Sequence, residues 1–199
     1  MIKKIYGKIK GLVSSKHYKI YETKQPAGID TPDLSGFSFG LFNAQDLKNT
    51  LMCHEKGRLE KFLKRLEEGH LCYGHKDIKT GDVCSYFWVS EGEKVDHAPF
   101  AFDFSIKIPE CLIYTADCRV DEKCRGKKLY TSGLIEIMKL YEGKKFLITA
   151  ETDNIISQKG IISAGYKYIG NVSFTKIRDH SFARYRDISE DSVAIEKRK

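Results

Sequence analysis

Residues 111–120 (CLIYTADCRV) are strand-like, and a helical stripe begins at Leu129; between them lies the turn from Asp121 to Lys128. A turn of this kind can hold an anion. The first N–H groups of a helix lack intrahelical partners, and the helix dipole favours negative charge beside them. Gly126 lets backbone approach a phosphate closely, and Arg125, Lys127 and Lys128 add positive charge. The same residues would also serve as a solvated basic helix start, so the turn alone leaves both readings open. Neither G-x-x-x-x-G-K-[ST] nor G-x-G-x-x-G occurs, which removes support for NTP hydrolysis and dinucleotide redox chemistry.

A second group of reactive residue types, His70, Cys72, His75 and Cys84, mixes metal ligands at spacings that match no zinc pattern. Period-two alternation puts His70 and Cys72 on one strand face and His75 on the other, so they read as strand residues and no metal is expected. Six cysteines without a C-x-x-C are too sparse for a disulfide scaffold and fit reduced thiols in a cytoplasmic protein.

These residues need elements to position them. Residues 18–22 read as a first strand, 24–43 as a long loop rich in Pro and Gly, and 44–69 as helical, with Leu47, Leu51, Leu59, Phe62, Leu63 and Leu66 recurring at three and four. Segments 71–77 and 82–90 form a hairpin, 91–110 is an irregular connection, and 111–120 is a strand. A helix over 129–141 carries Leu134, Ile137, Met138 and Tyr141; 146–151 (FLITAE) is a buried strand. Helix 155–164 has Asn154 as its N-cap and Gly165 as its stop, and 166–175 and 180–187 complete the sheet. Strand–helix–strand–helix order predicts an α/β sheet with some parallel pairing. Residues 1–17 form a basic amphipathic segment: Ile2, Ile5, Tyr6, Ile9, Leu12 and Val13 share a helical face. A helix packed on its own domain is favoured there over peripheral membrane contact through 1–13.

The stretch from about 70 to 175 resembles the GNAT superfamily of acyl-CoA-dependent N-acyltransferases. That family's pyrophosphate motif, commonly V-x-P-x-Y-R-G-x-G, is matched by Val120, Arg125 and Gly126. Its later motif, Asn-x-x-Ser/Ala followed by Gly-Phe, is matched by Asn154, Ser157, Gly165 and Tyr166. The resemblance implies one GNAT-like domain over 1–199, with a mixed, mostly antiparallel sheet of about seven strands. That sheet would be splayed between 111–120 and 146–151. It implies acetyl-CoA as acyl donor, its pantetheine arm held by backbone near Cys118 and Val120. The N–H groups from Arg125 through Gly126, Lys127, Lys128 and Leu129 to Tyr130 would hold the pyrophosphate, and Asn154 and Ser157 would reach the cofactor from across the cleft. Three positions depart from the pattern. Lys128 and Tyr130 stand where further glycines are usual, although a subgroup found with surface-polysaccharide loci has a similar R-G-x-G-L-Y form. Ile161 stands where many members carry a tyrosine that protonates the departing thiolate.

Acyl transfer to an amine needs a base for the ammonium and donors for the developing oxyanion. Asp117 and Glu151 are the candidate bases, and each could instead be a polar strand-end residue or a salt-bridge partner. Tyr114 and Tyr130 are candidate proton donors, with packing as the alternative for both. Direct attack by the amine is simpler than an acyl-Cys118 route. The expected function is transfer of an acetyl group from acetyl-CoA to a small primary amine. An amino sugar, free or nucleotide-linked, is the acceptor by analogy with the polysaccharide relatives. Two competitors stand beside it: a CoA-binding or interaction module of the same fold, which Ile161 allows, and a basic nucleic-acid binder. The second rests on the net charge of +7, from 34 Lys and Arg against 27 Asp and Glu, yet no recognition motif accompanies it. The cationic excess at 119–128 fits a phosphorylated small molecule better than a long nucleic-acid track, so no nucleic acid is expected.

Overall fold

Strands 83–90, 112–120 and 145–151 are buried at consecutive positions, so the centre of the sheet they build is covered on both faces. The computed structural model describes residues 13–24, 29, 31–50, 57–91, 95–96, 104–107, 110–177, 180–187 and 195–197. Its strands are β1 (Val13–Lys24), β2 (Phe37–Leu41), β3 (Leu71–Asp77), β4 (Val83–Ser90), β5 (Val95–Asp96), β6 (Phe104–Lys107), β7 (Leu112–Val120), β8 (Lys145–Glu151), β9 (Lys167–Ile177), β10 (His180–Arg186) and β11 (Ile195–Lys197). The helices are α1 (Ala44–Lys48), α2 (Arg58–Glu67), α3 (Leu129–Leu140) and α4 (Ile155–Ser163). The main sheet has eight strands in the order β10-β9-β1-β8-β7-β4-β3-β2, and β11-β6-β5 form a second, small sheet. All neighbours in the main sheet are antiparallel except β7 and β8, which run parallel across the α3 crossover.

Helices α3 and α4 cover one face. Leu134, Ile137 and Met138 from α3, Ile161 from α4 and its C-cap Ala164 pack on Tyr21, Phe87, Ile113 and Ile148. Gly133 marks the closest approach, since a Cβ there would come within 2.2 Å of the Phe87 ring. On the opposite face α2 inserts Phe62 between Tyr86 and Trp88, with centroids at 5.1 Å from each. Phe62 is fully buried, a contribution of roughly 1.5–3 kcal/mol from apolar burial.

Several expectations change. The stretch 24–43 holds strand β2, whose Phe37, Phe39 and Leu41 alternate with Ser38 and Gly40 at the sheet edge. The 91–110 connection carries β5 and β6, and the main sheet has eight strands where about seven were expected. Residues 13–17, assigned to the amphipathic segment, belong to β1, pairing with β9. Residues 1–12 lie outside the described residues.

Candidate functional site

The site begins where β7 and β8 part. Their pairing runs from Leu112 with Lys145 to Thr115 with Ile148 and stops. Beyond that point β8 stays with β1 as far as Glu151, while β7 stays with β4 through a register shift. Tyr86 faces Arg119 but Trp88 faces Ala116, so β7 has one extra residue there, a bulge. Asp117 occupies it with φ 43°, left-handed backbone that Asp tolerates better than most residues. Helix α2 holds the bulge in place. Arg58 and Arg65 approach the two Asp117 carboxylate oxygens at 3.4 and 3.7 Å, and the Tyr86 hydroxyl donates to one of them at 3.5 Å. Arg65 lies 4.5 Å over the Trp88 ring, which anchors the guanidinium in turn.

A small cavity of about 170 Å³ opens in the splay, with Asp117, Cys118, Tyr130, Thr149 and Glu151 on its walls. The Glu151 carboxylate meets Lys16 at 2.7 Å, and both side chains are nearly half exposed, so water screens the pair. Tyr114 is fully buried and lines neither this cavity nor the larger one beside it; its hydroxyl lies 2.9 Å from that of Thr149. The Cys118 Sγ donates to the Ala116 carbonyl at 3.5 Å. Burial, reinforced by the Asp117 charge, pushes the Cys118 thiol well above its ordinary pKa, which keeps it a thiol and a poor nucleophile.

A larger cavity of about 660 Å³ adjoins it, with Cys118, Tyr130, Asn154 and Ser157 common to both. One wall is the turn. Asp121 caps the Lys123 N–H at 2.9 Å, a 3-10 turn spans Glu122–Cys124, and Gly126 follows at φ 79°. Lys128, the N-cap of α3, also adopts left-handed backbone, at φ 59°, which explains why glycine suits this position. No side chain caps α3 and no acidic residue lies in its first turn, so the N–H groups at that end keep their donor capacity. Val120, Arg125, Gly126, Lys128 and Leu129 all line the cavity. Lys127 does not; its ammonium sits 5.0 Å over the Phe37 ring. The facing wall is α4. Asn154 caps it by accepting from the Ser157 N–H at 3.1 Å. The Gln158 amide donates to the Glu151 and Thr152 carbonyls at 3.0 Å each, tying α4 to the end of β8.

Tyr130 stands where the two cavities meet. Its ring presses on Gly160, where a Cβ would come within 2.6 Å of it. Burial raises the phenol well above its ordinary pKa, while a hydrogen bond with Ser157 works the other way. Tyr130 therefore remains a proton donor at neutral pH. Ile161 is fully buried in the core among α3 and β8 residues and does not line the cavities.

Sequence reasoning missed Arg58, Arg65, Tyr86 and Gln158, whose partners lie on other elements. Gly160 did leave a signal, being a glycine inside a helix where alanine would ordinarily be preferred. The histidines take serine partners: His70 with Ser90 and His75 with Ser85, each at 2.7 Å. Among the described residues no three His, Cys, Asp or Glu side chains gather as a metal site, and no helix is long and apolar enough to cross a membrane. Residues 51–56 of the segment read as helical and 97–103 of the 91–110 connection lie outside the described residues.

No family model matches the sequence, and no curated protein is significantly similar to it. Solved structures are similar in fold. A GNAT-family acetyltransferase from Colwellia psychrerythraea aligns with TM-score 0.56 at 11% identity, over 83% of this chain and 57% of its own. A GCN5-related N-acetyltransferase from Sphaerobacter thermophilus aligns with TM-score 0.56 at 9% identity, over 89% and 57%. This chain has the GNAT fold. A conserved protein of unknown function from Staphylococcus epidermidis shares it too, with TM-score 0.61 at 9% identity, over 88% of this chain and 68% of the other. The chain spans little more than half the length of the first two, so the GNAT fold is the common ground and the activities in their names remain their own.

Proposed function

We propose that this protein transfers an acetyl group from acetyl-CoA to a small primary amine by direct attack. The observation that carries the reading is the continuity of the splay with the anion-binding turn. A bulged strand end, uncapped N–H groups and a capped α4 wall enclose one path. Acetyl-CoA would bring an acetyl group activated as a thioester. A Cβ at Gly126 would meet nothing within 4 Å, so the turn leaves room for a phosphate beside it. Arg125, Lys128 and the N–H groups of 126–130 would hold the pyrophosphate, the backbone of Cys118 and Val120 the arm, and Asn154 and Ser157 the opposite side.

Of the two candidate bases, Glu151 suits the task better. Lys16, its ion-pair partner among the described residues, is exposed and readily exchanged for solvent, whereas Asp117 has both oxygens engaged by guanidinium groups. Asp117 then acts as a positioning residue that keeps the bulge formed, leaving strand N–H groups to meet developing negative charge. Tyr130 would protonate the leaving thiolate in place of a residue at 161. An amino sugar, free or nucleotide-linked, remains the acceptor class to try first, on analogy alone.

Thermal shift with acetyl-CoA and thiol release with DTNB over an amine panel that includes amino sugars test this together. Stabilisation with turnover supports it. Stabilisation without turnover on any amine favours a CoA-binding module. Absence of any protection at millimolar acetyl-CoA overturns both.

A further inference from the structure

Cys84 and Cys124 stand 40 positions apart in sequence, yet their Sγ atoms are 2.7 Å apart. Both are free and buried, at 2% and 9% exposure. A disulfide, at about 2.05 Å, needs an approach of only roughly 0.7 Å more. The backbone already holds the two residues together. The Asp121 N–H donates to the Cys84 carbonyl at 2.8 Å, and the Cys124 N–H donates back to Asp121 at 2.9 Å, folding the turn over the end of β4. Around them are Leu129, Val120, Leu34 and Phe37. Of the pair, Cys124 lines the larger cavity and Cys84 does not, so a small molecule entering there meets Cys124 first.

We propose that Cys84 and Cys124 form a reversible disulfide at the base of the anion-binding turn when a small organic disulfide enters the cavity. The Cys124 thiolate attacks one sulfur of that disulfide and expels the other half as a thiolate, leaving a mixed disulfide on Cys124. The Cys84 thiolate then attacks the Cys124 sulfur and expels the second half. Two protein thiols lose two electrons and two protons, and the small disulfide is reduced to two thiols. The new bond ties Cys124, and with it Arg125 to Lys128, to β4. It staples the turn in the conformation described here, and it does not depend on the acyltransferase reading. Burial, with the Cys124 hydrogen bond next, pushes the Cys84 thiol up to about 12, so the second step is slow at neutral pH and quickens as pH rises.

The test incubates the full chain with glutathione disulfide at about pH 9, where the second step is faster than at neutral pH, traps free thiols with N-ethylmaleimide in denaturant, and maps peptides without reduction. The expected result is loss of two hydrogens from the intact mass and one linked peptide pair carrying Cys84 and Cys124, reversed by dithiothreitol. Closing a loop of about 40 residues should raise Tm by on the order of 10 °C, and amide exchange over 121–128 should slow. In Cys84→Ser the glutathione adduct should accumulate on Cys124. A linkage to Cys118 or another cysteine, a lasting adduct on wild-type Cys124, or both thiols recovered as maleimide adducts would each overturn the proposal; the wild-type map alone decides this if the variant does not fold.

Discussion

Acid should loosen this fold from His75 outward. The ring is 1% exposed, sits 4.9 Å from Phe39 and 6.2 Å from Phe87, and keeps one partner, the Ser85 hydroxyl at 2.7 Å. Burial lowers its pKa from 6.5 to about 4, against a weaker opposing pull from the Glu136 charge. In the unfolded chain the imidazole takes a proton near pH 6.5; in the folded chain it resists until about pH 4. Between those values the unfolded state binds more protons, so stability falls as pH falls through the window and is unaffected above it. The gap between 6.5 and about 4, at about 1.4 kcal/mol for each pH unit, comes to roughly 3 kcal/mol. That is a large share of a typical domain's 5–15 kcal/mol. His75→Phe keeps a ring of similar shape and cannot titrate, and Ser85 retains the His75 backbone N–H at 3.2 Å as a donor. Urea unfolding from pH 4 to 8 should show the wild type losing roughly 3 kcal/mol more than the variant between pH 6.5 and 4. Carboxylates contribute to acid lability in both proteins and cancel in the difference. Parallel pH profiles for the two would refute the reasoning, because the proton would then cost the folded state nothing.

Four further outcomes follow from the site. Tyr130→Phe should lower kcat roughly 10²-fold or more with little change in KM, read by DTNB kinetics, if its hydroxyl donates the proton. Gly160→Ala should push the Tyr130 ring out of place, since the added Cβ would fall at 2.6 Å; a drop in turnover larger than the drop in Tm checks it. Asp117→Ala leaves Arg58 and Arg65 facing each other without their shared anion and should cost on the order of 2–3 kcal/mol in chemical denaturation, with Asp117→Asn costing less. Asn154→Ala removes the cap on the Ser157 N–H and should cost about 1 kcal/mol, visible as faster amide exchange in the first turn of α4.

The elements that carry the candidate site were legible because their signals are local. The basic turn, the helical stripe after Leu129 and the Asn154 cap each involve residues within a few positions of one another, and each stands where the spacing put it. Strand β2 was read as loop because it is a five-residue edge strand with Gly40 inside it and Leu41 left 58% exposed, so it lacks a full buried face. What the linear pattern could not hold was the traffic between elements. The turn's lysines are alike as text, but Lys128 lines the cavity while Lys127 lies over Phe37, because β2 happens to pass there. The sequence left Asp117 open as a base or a salt-bridge partner, and only α2, bringing two arginines from residues 58 and 65, named its partners.

Composition, periodicity and capping chemistry therefore determined most of the strands and helices, with β2, β5, β6 and the start of β1 as exceptions, and placed a basic turn between β7 and α3. Only the tertiary structure decided which polar groups meet: the bulge clamped by α2, Tyr130 at the junction of the two cavities, Ile161 turned into the core, and two sulfur atoms from β4 and the turn brought together. Secondary structure follows from neighbours three or four residues away, while a site is assembled by contacts whose partners are set by strand register and helix docking.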